Sequence, residues 1–144
     1  RMLDIGADAF LIEDCMLLVL AQRLVRKLCT TCRRPDKLSE ASLAWAVETG
    51  RRGGLDWNGL AKTFRAPVGC PECRNTGFRG RTVIAETLKM SPEIGAALRR
   101  RASVDEVHDI AVRQGMVTMA ADGVRRAAAG ETTLAEVQRV LGIG

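Results

Sequence analysis

Four of the five cysteines fall into two matched pairs, Cys29-Thr-Thr-Cys32 and Cys70-Pro-Glu-Cys73. A C-x₂-C spacing brings two thiolates to one ion from a single tight turn, whose backbone amides can hydrogen-bond the sulfurs. Two such turns complete a closed tetrahedral Cys₄ site with no position left for substrate, which is the chemistry of a structural zinc. The rival readings are disulfides, a redox-active CxxC and an iron–sulfur cluster. Two matched pairs in a chain without a secretion signal favour metal, and a reducing compartment goes with that choice. Residues 33–69 separate the pairs, further than the roughly 15–20 residues of a zinc ribbon, so a small lobe is expected to hang from the metal. Four thiolates around Zn²⁺ leave a formal charge of about −2. Arg26, Lys27, Arg33, Arg34 and Arg74 lie close by in sequence to offset it.

The remaining reactive groups give no catalytic constellation. Cys15 sits among Met16, Leu17 and Leu18 and reads as a buried free thiol. His108 is the only histidine, in a helical stretch beside Asp105, Glu106 and Asp109; a surface or packing role suits it better than a base or a ligand. HExxH, GxSxG and the phosphate loop GxxxxGK[ST] are absent, and Ala61-Lys62-Thr63 lacks the glycines that the loop needs. The basic stretch around the cysteines has only Phe64 and Phe78 near it. A nucleic-acid surface would want a stacking series, so a solvated face is the simpler reading.

The elements that must position the cysteines are mostly aliphatic. The chain has 144 residues, 47% of them apolar and 3% aromatic, with no tyrosine and a net charge of +5. Its pI of about 9.3 favours acidic partners without choosing one. The longest apolar run, Cys15–Ala21, is far short of the about 20 residues a membrane helix needs. Arg1 in place of Met reads as the start of a fragment.

A turn is expected around Gly6. Phe10, Leu17, Leu18, Leu20 and Leu24 fit one helical stripe, and Arg23–Leu28 fits a helix end or a short strand. A helix is expected between Ser39 as N-cap and Gly50, with loops elsewhere in 29–81. Thr82–Leu88 is β-branched and reads as a strand. Three or four capped helices then follow. Ser91-Pro92 starts one; Ser103–Glu106 is a capping box whose helix closes at Gly115. Another runs from Thr118 to Gly130, and Thr133–Glu136 is a second capping box whose helix stops at Gly142.

Several short motifs occur in one order: Arg1–Gly6, Leu20–Arg26, Leu28-Cys29-x-x-Cys32, Gly69–Cys73, Gly77–Thr82, Gly130–Thr133 and Glu136-Val137. The combination resembles the C-terminal portion of the bacterial type II secretion and type IV pilus assembly ATPases, over essentially the whole chain. The resemblance implies an α+β, mainly helical fold in three parts. Residues 1–28 would be the tail of a RecA-like core, 29–81 a tetracysteine zinc lobe, and 82–144 a final strand followed by a C-terminal helical bundle. It also implies a parent that is a cytoplasmic hexamer at the inner membrane. That parent would use ATP and Mg²⁺ and work with inner-membrane secretion or pilus platform proteins. The phosphate loop and the catalytic carboxylates would lie upstream of Arg1, so this stretch is expected to be inactive alone. The stretch Trp45–Lys62 departs from the family pattern in detail. The alternative reading is a free-standing zinc module that binds nucleic acid or protein. The chaperone repeat CxxCxGxG is a weaker match, broken at Arg74-Asn75-Thr76.

Residues 29–81 offer few large apolar groups, mainly Leu38, Leu43, Trp45, Leu55, Trp57, Leu60, Phe64 and Phe78. Ordering a loop costs about 1–2 kcal/mol per residue, so metal is expected to hold this region. The later helices are expected to stand without it.

Overall fold

The computed structural model describes residues 4–143; Arg1, Met2 and Leu3 of the opening motif lie outside the described residues. A turn at Gly6, where φ is +91°, leads into α1 (Ala9–Cys15), capped by the Asp8 carboxylate. Strand β1 (Leu18–Leu28) then pairs antiparallel with β4 (Phe78–Lys89), from Leu18 opposite Lys89 to Leu28 opposite Phe78. The register shifts between Arg26 and Leu28. There Lys27 on β1 faces two residues of β4, Arg79 and Gly80, and Gly80 has φ +78°. This is a bulge at a glycine position. Beside it on β1, Val25 and Leu28 are both buried although three positions apart, so strict two-residue alternation does not run to the end of that strand.

A second small sheet pairs β2 (Arg34–Pro35) with β3 (Arg65–Ala66), on either side of α2 (Glu40–Arg52). After β4 come α3 (Pro92–Arg99), α4 (Val104–Arg113), α5 (Met119–Ala128) and α6 (Leu134–Leu141). The fold is therefore a mixed α and β arrangement, with six α-helices and two small antiparallel sheets among the described residues. The serine and threonine caps lie where local chemistry puts them. Ser39, Ser91, Ser103, Thr118 and Thr133 each accept a backbone N–H in the first turn of their helix.

One face of the β1–β4 ribbon carries the core. Val25 and Ile84 are fully buried against Met119 of α5 and Val137 of α6, each worth about 1.5–3 kcal/mol in burial. A second cluster joins Ala46 of α2 to Val124, Ala127 and Leu134, with Leu38, Trp45, Leu55, Trp57 and Phe64 packed around it. The few large apolar groups between the cysteine pairs thus spend their burial on α5 and α6. A third cluster holds α3 to α4 through Ile94, Ala97, Ile110 and Ala111. Helices α5 and α6 cross closely enough that a Cβ on Gly123 would lie 2.5 Å from Val137 Cγ1.

Several expectations need correction. The stripe from Phe10 to Leu24 is not one helix: α1 stops at Cys15, and Leu18, Leu20 and Leu24 belong to β1. A continuous apolar run satisfies either period, and pairing with β4 decides for strand. Cys15 is exposed at the end of α1, so it is not a buried thiol. Helix α2 runs through Gly50 to Arg52, because Gly50 is buried where Leu55 and Trp57 approach it. Strand β4 extends beyond Thr82–Leu88 at both ends. Both capping boxes are half formed, since the carboxylates that should return to the caps go elsewhere. Glu106 pairs with Arg100, and Glu136 pairs with Arg26 and Arg139.

Candidate metal centre

The first cysteine turn is the direct continuation of β1. Leu28 donates its N–H to Glu131 O at 2.8 Å, and Cys29 donates its N–H to Gly77 O at 2.9 Å. Arg33 N–H closes the turn on Cys29 O at 3.0 Å. The second turn is a 3₁₀ turn over Pro71–Cys73, with Pro71 supplying a preset φ at its first position. Arg74 and Asn75 follow in left-handed conformations, with φ +53° and +60°, and reverse the chain towards Gly77. Glycine is required at two places. A Cβ on Gly77 (φ +75°) would sit 2.5 Å from Pro67 Cβ, and one on Gly69 (φ +118°) would sit 2.9 Å from Asn75 O.

These turns bring Cys29, Cys32, Cys70 and Cys73 together, with all four Sγ atoms within 4.8 Å of one another. Cys29 and Cys70 are 3.9 Å apart at sulfur, Cys32 and Cys73 3.9 Å, and Cys70 and Cys73 3.7 Å. A tetrahedral ion with metal–sulfur bonds of about 2.3 Å places its sulfurs roughly 3.8 Å apart, so the set fits such an ion. A disulfide needs about 2.05 Å, and all five cysteines are free. Backbone amides point at the sulfurs. Gly69 N–H donates to Cys32 Sγ at 3.3 Å, and Cys70 and Gly77 N–H both donate to Cys73 Sγ at 3.2 Å.

Those donors separate the thiols electrostatically. Burial pushes the Cys73 thiol up, but the two amides and the neighbouring thiols outweigh it and bring Cys73 down to about 6. Cys70 also has an amide lowering it, yet burial and its three thiol neighbours push it up to about 11. Cys29 is lowered overall, against burial, by the amides of Thr31 and Cys32 and by its thiol neighbours. A cation arriving at this cluster finds the Cys29 and Cys73 thiolates favoured and the Cys70 proton to displace.

Two of the cations expected to offset the thiolates, Arg26 and Arg33, are engaged elsewhere. Arg26 is bound to Glu136 and lies over the Phe78 ring at 4.2 Å, and Arg33 donates to the Gly130 carbonyl. On the rim, Glu72 accepts from Thr31 of the first turn and from Arg79 of β4. His108 stands half-exposed on α4 beside Asp109, outside the cysteine cluster. Ala61-Lys62-Thr63 is structural: Lys62 lies over the Trp57 ring, and Thr63 bonds Ala128 O through both its amide and its hydroxyl.

One part of the site was missed in the sequence as a set of contacts, although Gly130–Thr133 and Glu136 stood out as motifs. Glu136 is 2% exposed and accepts from Arg26 N–H at 3.1 Å, from the Arg26 guanidinium at 2.7 Å, and twice from Arg139. Burial works against its ionisation, but the Arg139 and Arg26 hydrogen bonds hold its carboxyl down to about 2. Thr132, wholly buried, donates its hydroxyl to Arg26 O at 2.8 Å. The turn before α6 therefore grips the last residues of β1, which carry Cys29.

A closed tetrathiolate at the end of a two-stranded sheet, flanked by capped helices, defines a domain that could hold a metal as a cross-link. The chain belongs to the type II/IV secretion system protein family, whose model matches residues 1–139. It is 38% identical over 140 residues to the type II secretion system protein HxcR of Pseudomonas aeruginosa, covering 97% of this chain and 24% of that protein. It is 36% identical over 141 residues to the type II secretion system protein E of Aeromonas hydrophila, covering 97% and 26%. Against the type IV pilus assembly ATPase PilB of Thermus thermophilus the identity is 37% over 142 residues, covering 95% and 15%. The chain thus spans about a quarter or less of the length of these curated relatives. No described helix is long and apolar enough to cross a membrane.

Proposed function

We propose that Cys29, Cys32, Cys70 and Cys73 hold one structural zinc ion, in a non-catalytic C-terminal part of a motor ATPase for secretion or pilus assembly. The observation that carries the metal reading is that the four sulfurs all lie within 4.8 Å of one another, three of the separations being 3.7–3.9 Å, with three amides aimed at two of the sulfurs. Zinc fits better than an iron–sulfur cluster, because the thiols converge on one ion-sized centre. Bound there, zinc would supply a cross-link between the end of β1 and the turn before β4; the four positions are filled, so it would activate no substrate.

In this reading residues 1–28 end a RecA-like core, 29–81 form the zinc lobe, and 82–144 form the last strand and the helical region. The parent assembles as a hexamer on the cytoplasmic face of the inner membrane. It binds ATP and Mg²⁺ through residues that precede this stretch and meets secretion or pilus platform proteins; no nucleic acid is required. The relatives' names and their greater length support this choice over a free-standing zinc module. Elemental analysis of the purified chain is expected to give close to one zinc per chain, lost on Cys70→Ser. Iron instead, or zinc that survives the substitution, would sink the assignment. The same preparation is expected to release no phosphate from ATP above background.

A further inference from the structure

We propose that the turn between α5 and α6, with Glu136 as its anchor, is a clasp that sets how firmly the four cysteines keep their metal. The inference rests on the zinc reading above and adds a positioning role for residues that touch no sulfur. Three consecutive links fasten β1 to this turn. Glu136 takes both the amide and the guanidinium of Arg26, Thr132 donates to Arg26 O, and Glu131 O accepts from Leu28 N–H. The next residue is Cys29. Arg33, just past the first cysteine turn, reaches back to Gly130 O. Both ends of that turn are thus tied to the stretch Gly130–Glu136, which leads into α6 and forms its first turn.

The second turn joins the same scaffold indirectly. Gly77 accepts from Cys29 N–H through its carbonyl and donates its own N–H to Cys73 Sγ. One peptide segment therefore reads the position of the first turn and fixes a sulfur of the second. Thr82 of β4 and Glu131 are both bonded to Arg126 of α5, which closes the loop. If Arg26 moves, Cys29 moves with it, and the Gly77 amide is pulled from Cys73. Outer partners that orient metal ligands change metal retention by about 10–100-fold when removed.

The coupling must be reciprocal: a clasp that tightens the metal is itself tightened by the metal. Emptying the site should loosen α6 before it loosens α3 and α4, whose core contains none of these residues.

The test measures zinc release from the whole chain into a chromogenic chelator. Glu136→Gln should release zinc at least about tenfold faster than wild type. Thr132→Val should do so to a smaller extent, with Thr132→Ser restoring the slow rate. Ile94→Ala is the control, since Ile94 is buried between α3 and α4. It should lower the melting temperature without speeding release. A second readout is amide exchange of α6 in wild type, which should rise on zinc removal while α3 stays protected. Release unchanged in both Glu136→Gln and Thr132→Val, or accelerated as much by Ile94→Ala, overturns the clasp alone. Wild-type chain that holds no zinc overturns the metal reading and the clasp with it.

Discussion

Replacing Gly123 by Ala sets two effects of known size against each other. In the interior of α5, Ala is favoured over Gly by about 1 kcal/mol. The methyl group, however, would lie 2.5 Å from Val137 Cγ1, 3.1 Å from Cγ2 and 3.4 Å from Cβ. Val137 is fully buried, and a β-branched side chain in a helix has one strongly preferred rotamer, so it cannot swing aside. Because the stiff Cβ is approached along with both methyls, α6 must move as a body. Overpacking of this kind costs about 1–3 kcal/mol, and the tightness of the contact argues for the upper half. Gly123→Ala is therefore expected to lose about 1–2 kcal/mol net, a fall of roughly 3–6 °C in melting temperature. Urea unfolding of Gly123→Ala, Val137→Ala and the double variant measures it. Removing the Val137 methyls should accommodate the new one, so the double variant should be more stable than the sum of the singles by at least about 1 kcal/mol. A single variant as stable as wild type, or strict additivity, would refute the reasoning.

Two further outcomes follow from groups described above. The Glu136 carboxyl lies near 2 in the folded chain against an ordinary 4.5; its contribution, about 3 kcal/mol, is present above pH 4.5 and lost as pH falls towards 2. The stability gap between wild type and Glu136→Gln should shrink over that window, and a gap unchanged from pH 6 to pH 2.5 would contradict the burial and pairing assigned to it. Stripping the metal should expose the amides of the two turns, Cys29–Arg33 and Gly69–Gly77, while α3 and α4 stay protected in their separate core. Turns that remain protected, or equal melting of α3 and α4, would mean that metal does not hold this region. Trp45 and Trp57 pack in the core shared by α2, α5 and α6. Their fluorescence therefore reports that core, which the sequence alone would have attached to the metal.

What could be read in advance was local chemistry. Ser91-Pro92, Thr118 and Gly142 signal helix ends through side-chain oxygens and backbone conformations that act within one turn, and the structure places them there. The cysteine pairs are legible for the same reason. What escaped was set at long range. The stretch Leu18–Leu24 became a strand because β4, some sixty residues later, pairs with it. Glu136 looked like the far half of a capping box; besides Arg139 one turn on, it pairs with Arg26 at the other end of the chain, which nothing near it in sequence announces. Burial of a carboxylate depends on where the counter-charges are brought, which is a tertiary property.

The bulge where Lys27 faces Arg79 and Gly80 works as a phase adjuster between sheet and metal turn. Side chains of a strand change face at every residue, so a one-residue slip reverses the whole pattern. With the extra residue in β4, Phe78 still comes opposite Leu28, and Gly77 still reaches the Cys29 amide at the start of the first cysteine turn. Deleting a residue between Phe78 and Arg81 would remove the slip in β4, reverse the face of Phe78 and displace Gly77, whose carbonyl holds the Cys29 amide and whose own amide holds Cys73 Sγ. The length of this connection is therefore constrained more tightly than its chemistry: Arg79 is replaceable, but the count of residues from Phe78 to Thr82 is not.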